Sequence, residues 1–207
     1  MTTDDVETFA RCLTVGGVAV FPADTVYGLA CEPDSREAVY RLYRLKGRRP
    51  DKPAAVMFFD PDLALATLPE LPDRTAAALE RLLPGAVTAL VPNPAHRFPL
   101  AGAGDPETLG LRVPSLDGPL APLRSLSWPV LQSSANLAGE PAPRRLDDVP
   151  ESIRAAADLL LDAGELPGTP STVVDLRGYD ETGEWSVVRD GAVPAEQLAE
   201  ALSSPGR

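Results

Sequence analysis

The sequence predicts an α/β domain built on a mixed, twisted sheet. Short apolar runs suited to buried strands alternate along the chain with stretches of helical spacing. The 207 residues are 44% apolar and 24% charged, an ordinary balance for one globular domain with a sizeable core. The 23 prolines fall mostly at the boundaries between runs, as in a compact fold with stiff turns.

Val6, Phe9, Ala10 and Leu13 recur at helical spacing behind acidic residues that suit a helix start. Gly16 and Gly17 break that pattern, VAVF (18–21) reads as a buried strand, and Pro22 ends it. In FPADTVYGLA (21–30), Asp24, Thr25 and Tyr27 follow the strand with Gly28 in a turn. Residues 34–46 read as a helix. Asp34 and Glu37 make a capping-box pattern, Val39, Leu42 and Leu45 form an apolar stripe, and Gly47 stands where a C-cap belongs. Further strands are predicted at 54–59, 86–91, 108–113, 129–134, 171–176 and 185–189, and helices at 62–68, 73–83, 117–126, 151–162 and 194–202. No internal repeat is visible, and residues 203–207 (SSPGR) are expected to fray.

Composition excludes several classes of function. A net charge of −11 opposes broad binding to nucleic acid or anionic membrane, so any anion must meet a local cluster of cations. One His and two Cys make no zinc or iron centre, and any metal is expected to be Mg²⁺ carried on phosphates. Cys12 and Cys31 fit a reduced, cytoplasmic setting with packing roles. The acidic start MTTDDVETFA shows no signal peptide, and no long apolar run suggests a membrane span.

The local cluster exists. Of 19 basic residues only Lys46 and Lys52 are lysines, and both lie in YRLKGRRPDKP (43–53) with Arg48 and Arg49. With the chain extended at Gly47, Lys46 and Arg48 would project to one side and suit a polyphosphate, Arg as a planar fork and Lys as a compact charge. The stretch reads equally as a solvated helix end whose cations complement the dipole. SSAN (133–136) follows an apolar strand and could bind ribose, base or phosphate there, or be an ordinary Ser/Asn turn. Thr25 offers a hydroxyl to a small ligand, or belongs to a β-turn capped by Asp24. Arg112 sits within an apolar strand and needs an anionic partner, either a substrate carboxylate or an internal Asp or Glu. No G-x-x-x-x-G-K-[ST] loop is present, GAGDPE (102–107) is not G-x-G-x-x-G, and His96 lies in a loop unsuited to a catalytic triad.

In order, FPADTVYGL, KGRRP, TLGLRVP, SANLAG, PSTVVD and VVRDG closely resemble the YrdC/TsaC family of threonylcarbamoyl-AMP synthases, from about Val18 to Ala192. The resemblance implies an open, twisted mixed sheet with flanking helices and a large concave, electropositive cavity, in a short form without the additional C-terminal domain of longer members. It implies condensation of L-threonine, bicarbonate and ATP into L-threonylcarbamoyladenylate with release of pyrophosphate. Mg²⁺ would arrive with the ATP, and no prosthetic group is needed. A downstream threonylcarbamoyl-transferase complex would use the product on tRNA, and direct contact with double-stranded RNA or tRNA is expected to be weak.

Carried over by motif, Lys46 and Arg48 are the catalytic pair on the ATP phosphates. Lys52, Thr108, Ser134, Asn136, Arg144 and Arg189 are further ATP contacts. Thr25, Arg112 and Ser171 surround the threonine, with Arg112 on its carboxylate. The chain departs from the family pattern at Ala23, Arg49, Ala138 and Ala142, where Thr, Pro, Ser and a polar residue are usual. Rival readings are a non-catalytic RNA- or nucleotide-binding relative, a carbamoyl-adenylate-forming enzyme like the related domain of hydrogenase-maturation proteins, and an inactive partner in a tRNA-modification complex.

Overall fold

The computed structural model describes residues 1–49 and 51–203, so Pro50 and the tail beyond Ser203, where fraying is expected, lie outside the described residues. In chain order the elements are α1 (Thr3–Thr14), β1 (Ala19–Pro22), β2 (Tyr27–Cys31), α2 (Arg36–Leu45), β3 (Ala55–Met57), α3 (Pro61–Thr67), α4 (Asp73–Leu82), β4 (Val87–Pro92) and β5 (Thr108–Arg112). A 3₁₀ helix (Gly118–Ser125) leads to β6 (Val130–Ser134). A single 3₁₀ turn (Leu146–Asp148) then precedes α5 (Glu151–Arg154), β7 (Leu159–Leu160), β8 (Thr172–Asp175), α6 (Tyr179–Thr182), β9 (Ser186–Arg189) and α7 (Ala195–Ser203).

Among the described residues the strands form one sheet in the order β7-β1-β2-β6-β3-β5-β4-β8-β9. The β1–β7, β3–β5 and β4–β8 pairs are parallel and the others antiparallel, so the expected mixed α/β architecture is what forms.

Several element assignments change. The segment read as a turn around Gly28 contains the buried strand β2, paired with β1 from Ala19↔Ala30 to Pro22↔Tyr27. Gly28 serves packing, because a Cβ there would stand 3.1 Å from the Phe21 ring and 3.3 Å from the Ser133 carbonyl. Ser35, not Asp34, caps α2, its hydroxyl accepting from the Ala38 N–H at 3.3 Å. The predicted helix at 117–126 is 3₁₀, with Pro122, which lacks an N–H, inside it. The predicted helix at 151–162 stops at Arg154, and Leu159–Leu160 instead pairs with β1. Asp158 fixes that crossing by accepting from the Val18 N–H at 2.7 Å and from Arg41 at 2.9 Å. Helix α6 (Tyr179–Thr182) falls where the sequence led to no helix being expected.

Side chains alternate across a strand, and here the alternation builds the site. One sheet face presents Val20, Leu29, Val56, Leu111, Ala89 and Val174 to the apolar sides of α2, α4 and α7, in a continuous core. The other face is divided. Ala19, Phe21, Ala30, Met57 and Val130 pack beneath Val6, Phe9 and Leu13 of α1 and Leu120 and Leu123 of the 3₁₀ helix. Beyond them, Ala55, Thr88, Leu90, Thr108, Gly110, Arg112 and Gln132 carry no covering layer and floor a cavity.

Candidate active site

The cavity holds about 950 Å³, at the upper end of ordinary ligand sites. Its walls come from the turn after α2 (Arg48, Asp51, Pro53), the loop 102–105, the turn after β6 (Ser134, Asn136, Glu140), the segment 168–171, and Arg177, Val188 and Arg189. Of the residues expected to bind ligands, Arg48, Thr108, Arg112, Ser134, Asn136, Ser171 and Arg189 line it, while Thr25, Lys46, Lys52 and Arg144 do not.

Lys46 and Arg48 do not project together. Lys46 closes α2 in a helical conformation and Gly47 then takes a left-handed φ of 58°, so the chain is not extended between them. Lys46 is 2% exposed. Its Nζ donates to the Ser134 carbonyl, to the Asn136 carbonyl at 2.9 Å and to Asn136 Oδ1 at 3.3 Å. The Ser134 hydroxyl also donates to Asn136 Oδ1, and the Asn136 amide donates to the carbonyls of Leu137 and Glu140 at 2.8 and 2.7 Å. Lys46 and Asn136 thus spend their polar atoms on the turn after β6. Burial, and then the Arg48 charge, lower the Lys46 amine to about 7.

Arg48 turns into the cavity. Its terminal nitrogens reach the Pro53 carbonyl and, at 3.4 Å, the Ser133 hydroxyl, and its buried Nε has no partner among the described residues. The guanidinium lies 5.8 Å from the centre of the Tyr43 ring.

Arg112 has an internal partner. Its guanidinium donates to Asp24, in an ion pair whose side chains are 4% and 8% exposed, and to the Thr25 hydroxyl at 2.7 Å. Asp24 in turn accepts from the Ser115 N–H at 3.1 Å. Thr25 therefore orients Arg112 from behind the cavity wall. Arg112 Nε is buried without a partner among the described residues. Beside it, the hydroxyls of Thr88 and Ser171 lie 2.8 Å apart, and Arg189 donates to the Ser171 carbonyl at 2.7 Å. Burial, then the charges of Arg112 and Arg48, hold the Arg189 guanidinium below its ordinary value. Three guanidiniums meet at one cavity wall, Arg112 buried, Arg48 half-buried and Arg189 exposed at its rim, and an anion placed among them relieves their repulsion.

Lys52 is exposed on the turn and held through its backbone, its N–H donating to the Arg49 carbonyl at 3.2 Å and its carbonyl accepting from the Tyr43 hydroxyl at 2.7 Å. Arg144 points out of the cavity and pairs with Glu165. His96 pairs with Glu107 on the exposed loop. Among the described residues no His, Cys, Asp or Glu group could hold a metal, and no helix is long and apolar enough to cross a membrane.

Three lining residues carried no sequence motif. Thr88 and Gln132 would follow from strand alternation, since their neighbours Val87, Ala89 and Leu131 face the core. Arg177 follows β8 and donates to both carboxylate oxygens of Asp175; nothing in its sequence neighbourhood announces it.

Comparisons with known proteins place this geometry. A family profile for Sua5, YciO and YrdC, described as "Telomere recombination", matches residues 11–191. A threonylcarbamoyl-AMP synthase of Pseudomonas aeruginosa is 36% identical over 81% of this chain and 90% of its own length. One from Bacillus subtilis is 30% identical over 95% of this chain and 56% of its own. The crystal structure of Pyrococcus abyssi Sua5 complexed with L-threonine superimposes with a TM-score of 0.82 at 25% identity, over 98% of this chain and 58% of that one. The chain thus spans little more than half the length of the Bacillus and Pyrococcus relatives.

Proposed function

Because the chain belongs to the Sua5/YciO/YrdC family, we propose that it makes L-threonylcarbamoyladenylate from L-threonine, bicarbonate and ATP, the activated group for modification of tRNA. The observation that carries this reading is the convergence of Arg48, Arg112 and Arg189 on the one uncovered half of a sheet face. The carbamate formed from threonine, with its carboxylate, and ATP are both anions, and joining them requires that their repulsion be neutralised.

The threonine amine condenses with bicarbonate to a carbamate and water. A carbamate oxygen then attacks the α-phosphorus, the bond to the β-phosphate oxygen breaks, and pyrophosphate leaves. No protein nucleophile is required. Arg112, set by Asp24 and Thr25, receives the amino-acid carboxylate in the cavity that it and Ser171 both line. Arg48 and Arg189, which have no carboxylate partner among the described residues, hold phosphates and take up the charge that grows on the leaving group. Ser134 and Thr108 offer hydroxyls to the nucleotide. Lys46 and Asn136 fix the turn that carries Ser134. Mg²⁺ enters as part of the ATP substrate, held by phosphate oxygens. Lys52 and Arg144, outside the cavity, take no part in these steps.

Pyrophosphate release from ATP and bicarbonate, with and without L-threonine, tests the reading. Threonine-dependent release is expected, reduced about 10²- to 10³-fold in Arg48→Ala, the loss seen when a charge-stabilising donor is removed. Folded protein that binds ATP without threonine-dependent release would make the chain a nucleotide-binding relative instead.

A further inference from the structure

Tyr27 belongs to the stretch FPADTVYGLA, yet it does not line the cavity. It is fully buried in β2 and holds two other segments. Its backbone holds the turn after β6, the N–H donating to the Pro143 carbonyl and the carbonyl accepting from the Ala135 N–H, both at 2.9 Å. Its side chain holds the stretch 161–171, which joins β7 to β8 and belongs to no helix or strand. The hydroxyl oxygen lies 2.6 Å from Asp162 Oδ1 and 2.8 Å from the Gly164 carbonyl, two acceptors for its one proton, and it accepts from the Ala163 N–H at 3.0 Å. Asp162 also accepts from the Gly164 N–H at 2.8 Å, so three consecutive residues wrap around one phenol oxygen. Burial, and then Asp162, push this hydroxyl up to about 12, so it stays a proton donor at neutral pH.

From Tyr27 the stretch runs to the cavity. The Leu166 N–H donates to the Arg144 carbonyl at 2.8 Å, Glu165 pairs with Arg144 and Arg145, and the Gly168 N–H donates to the Thr25 carbonyl at 2.9 Å. Gly168, Pro170 and Ser171 then enter the cavity wall. Thr25, to which Gly168 is tied, is the residue that orients Arg112. A segment without a ladder of backbone bonds opens more easily than a strand, so each tie to the body of the protein counts. We infer that Tyr27 is a positioning residue: its backbone fixes the wall that carries Ser134, and its hydroxyl fixes the wall that carries Gly168 and Ser171. One side chain outside the cavity thereby sets where its amino-acid end stands. The inference deepens the synthase reading and rests on it for the identity of the two ligands. Tyr27→Phe removes the hydroxyl and keeps the backbone bonds, so its effect falls on threonine and spares ATP.

Two measurements on the full chain test this. Initial rates of pyrophosphate release are taken against L-threonine and against ATP, and hydrogen exchange of the ligand-free protein is read by mass spectrometry. In Tyr27→Phe the KM for L-threonine is expected to rise about five- to tenfold, the scale of one lost hydrogen bond, with the KM for ATP and kcat changed by less than about twofold. Asp162 is exposed, so Asp162→Ala should fold normally. It should raise the threonine KM by a smaller factor, because the Gly164 carbonyl still takes the proton. Exchange in Tyr27→Phe should quicken at residues 163–168 and stay as in the unaltered protein at 134–142. An unchanged threonine KM in Tyr27→Phe, an equal rise for ATP, or unchanged exchange at 163–168 would each overturn the inference while leaving the synthase reading in place. If the unaltered protein shows no threonine-dependent release, the synthase reading falls, and the exchange result alone decides whether Tyr27 holds this wall.

Discussion

Lys46 and Arg48 are two residues apart and do different work. Arg48 faces the cavity with a buried, unpartnered Nε, whereas Lys46 points to the carbonyls of Ser134 and Asn136. The left-handed turn at Gly47 stands between them and turns the chain where an extended residue would have kept the two side chains on one side. The buried amine also makes a pH signature. Its value falls from 10.5 to about 7 on folding, chiefly through burial and secondly through Arg48. Between those limits the unfolded chain holds a proton that the folded chain does not, so this group's contribution to stability rises as pH rises. Urea unfolding at about pH 6, 8 and 9.5 should show the native protein gaining on Lys46→Met as pH increases. A difference that stays flat would mean that the acceptors around Nζ keep it charged throughout.

At the scale of elements, the cavity wall depends on how closely the chain after β9 approaches the start of β8. A Cβ on Gly191 would lie 2.4 Å from the Thr172 nitrogen and 2.5 Å from the Pro170 carbonyl oxygen, both backbone atoms that cannot swing aside. Gly191→Ala is therefore expected to destabilise the protein by about 1–3 kcal/mol, the range for forced overpacking, and to displace Arg189 from Ser171. Equilibrium unfolding measures the first effect, and a stability equal to the native protein would contradict it. Elements with a single strong pattern were legible in the sequence: α1 to α4, α7 and the strands β1, β3 to β6, β8 and β9. Those that failed depend on distant partners. β2 reads as a turn because Gly28 is usually a turn residue, and here its missing side chain admits the Phe21 ring. β7 lies in a leucine run that fits a helix equally well, and pairing with β1 decides it. The ordered motifs located Arg48, Arg112, Ser134 and Arg189 in the cavity wall. They did not reveal which way Lys46 points, that Asp24 claims Arg112, or that Arg177 reaches the site, since each depends on a fold-level contact.

For the molecule as a whole, a chain of net charge −11 brings Arg48, Arg112 and Arg189 to the wall of one pocket, and among the described residues Arg48 and Arg189 have no carboxylate partner there. The division of the second sheet face explains the pocket. α1 and the 3₁₀ helix cover its apolar half, and the half that carries Thr88, Thr108, Arg112 and Gln132 stays open. That open half is where both substrates are placed by the proposed reaction. Hydrogen exchange read by mass spectrometry, with saturating ATP and L-threonine against ligand-free protein, tests the claim most directly. Slowed exchange confined to the cavity wall, residues 48–55, 101–106, 134–142, 168–173 and 187–190, is the predicted result. Protection centred on α1 and residues 118–125, or none at saturation, would contradict it.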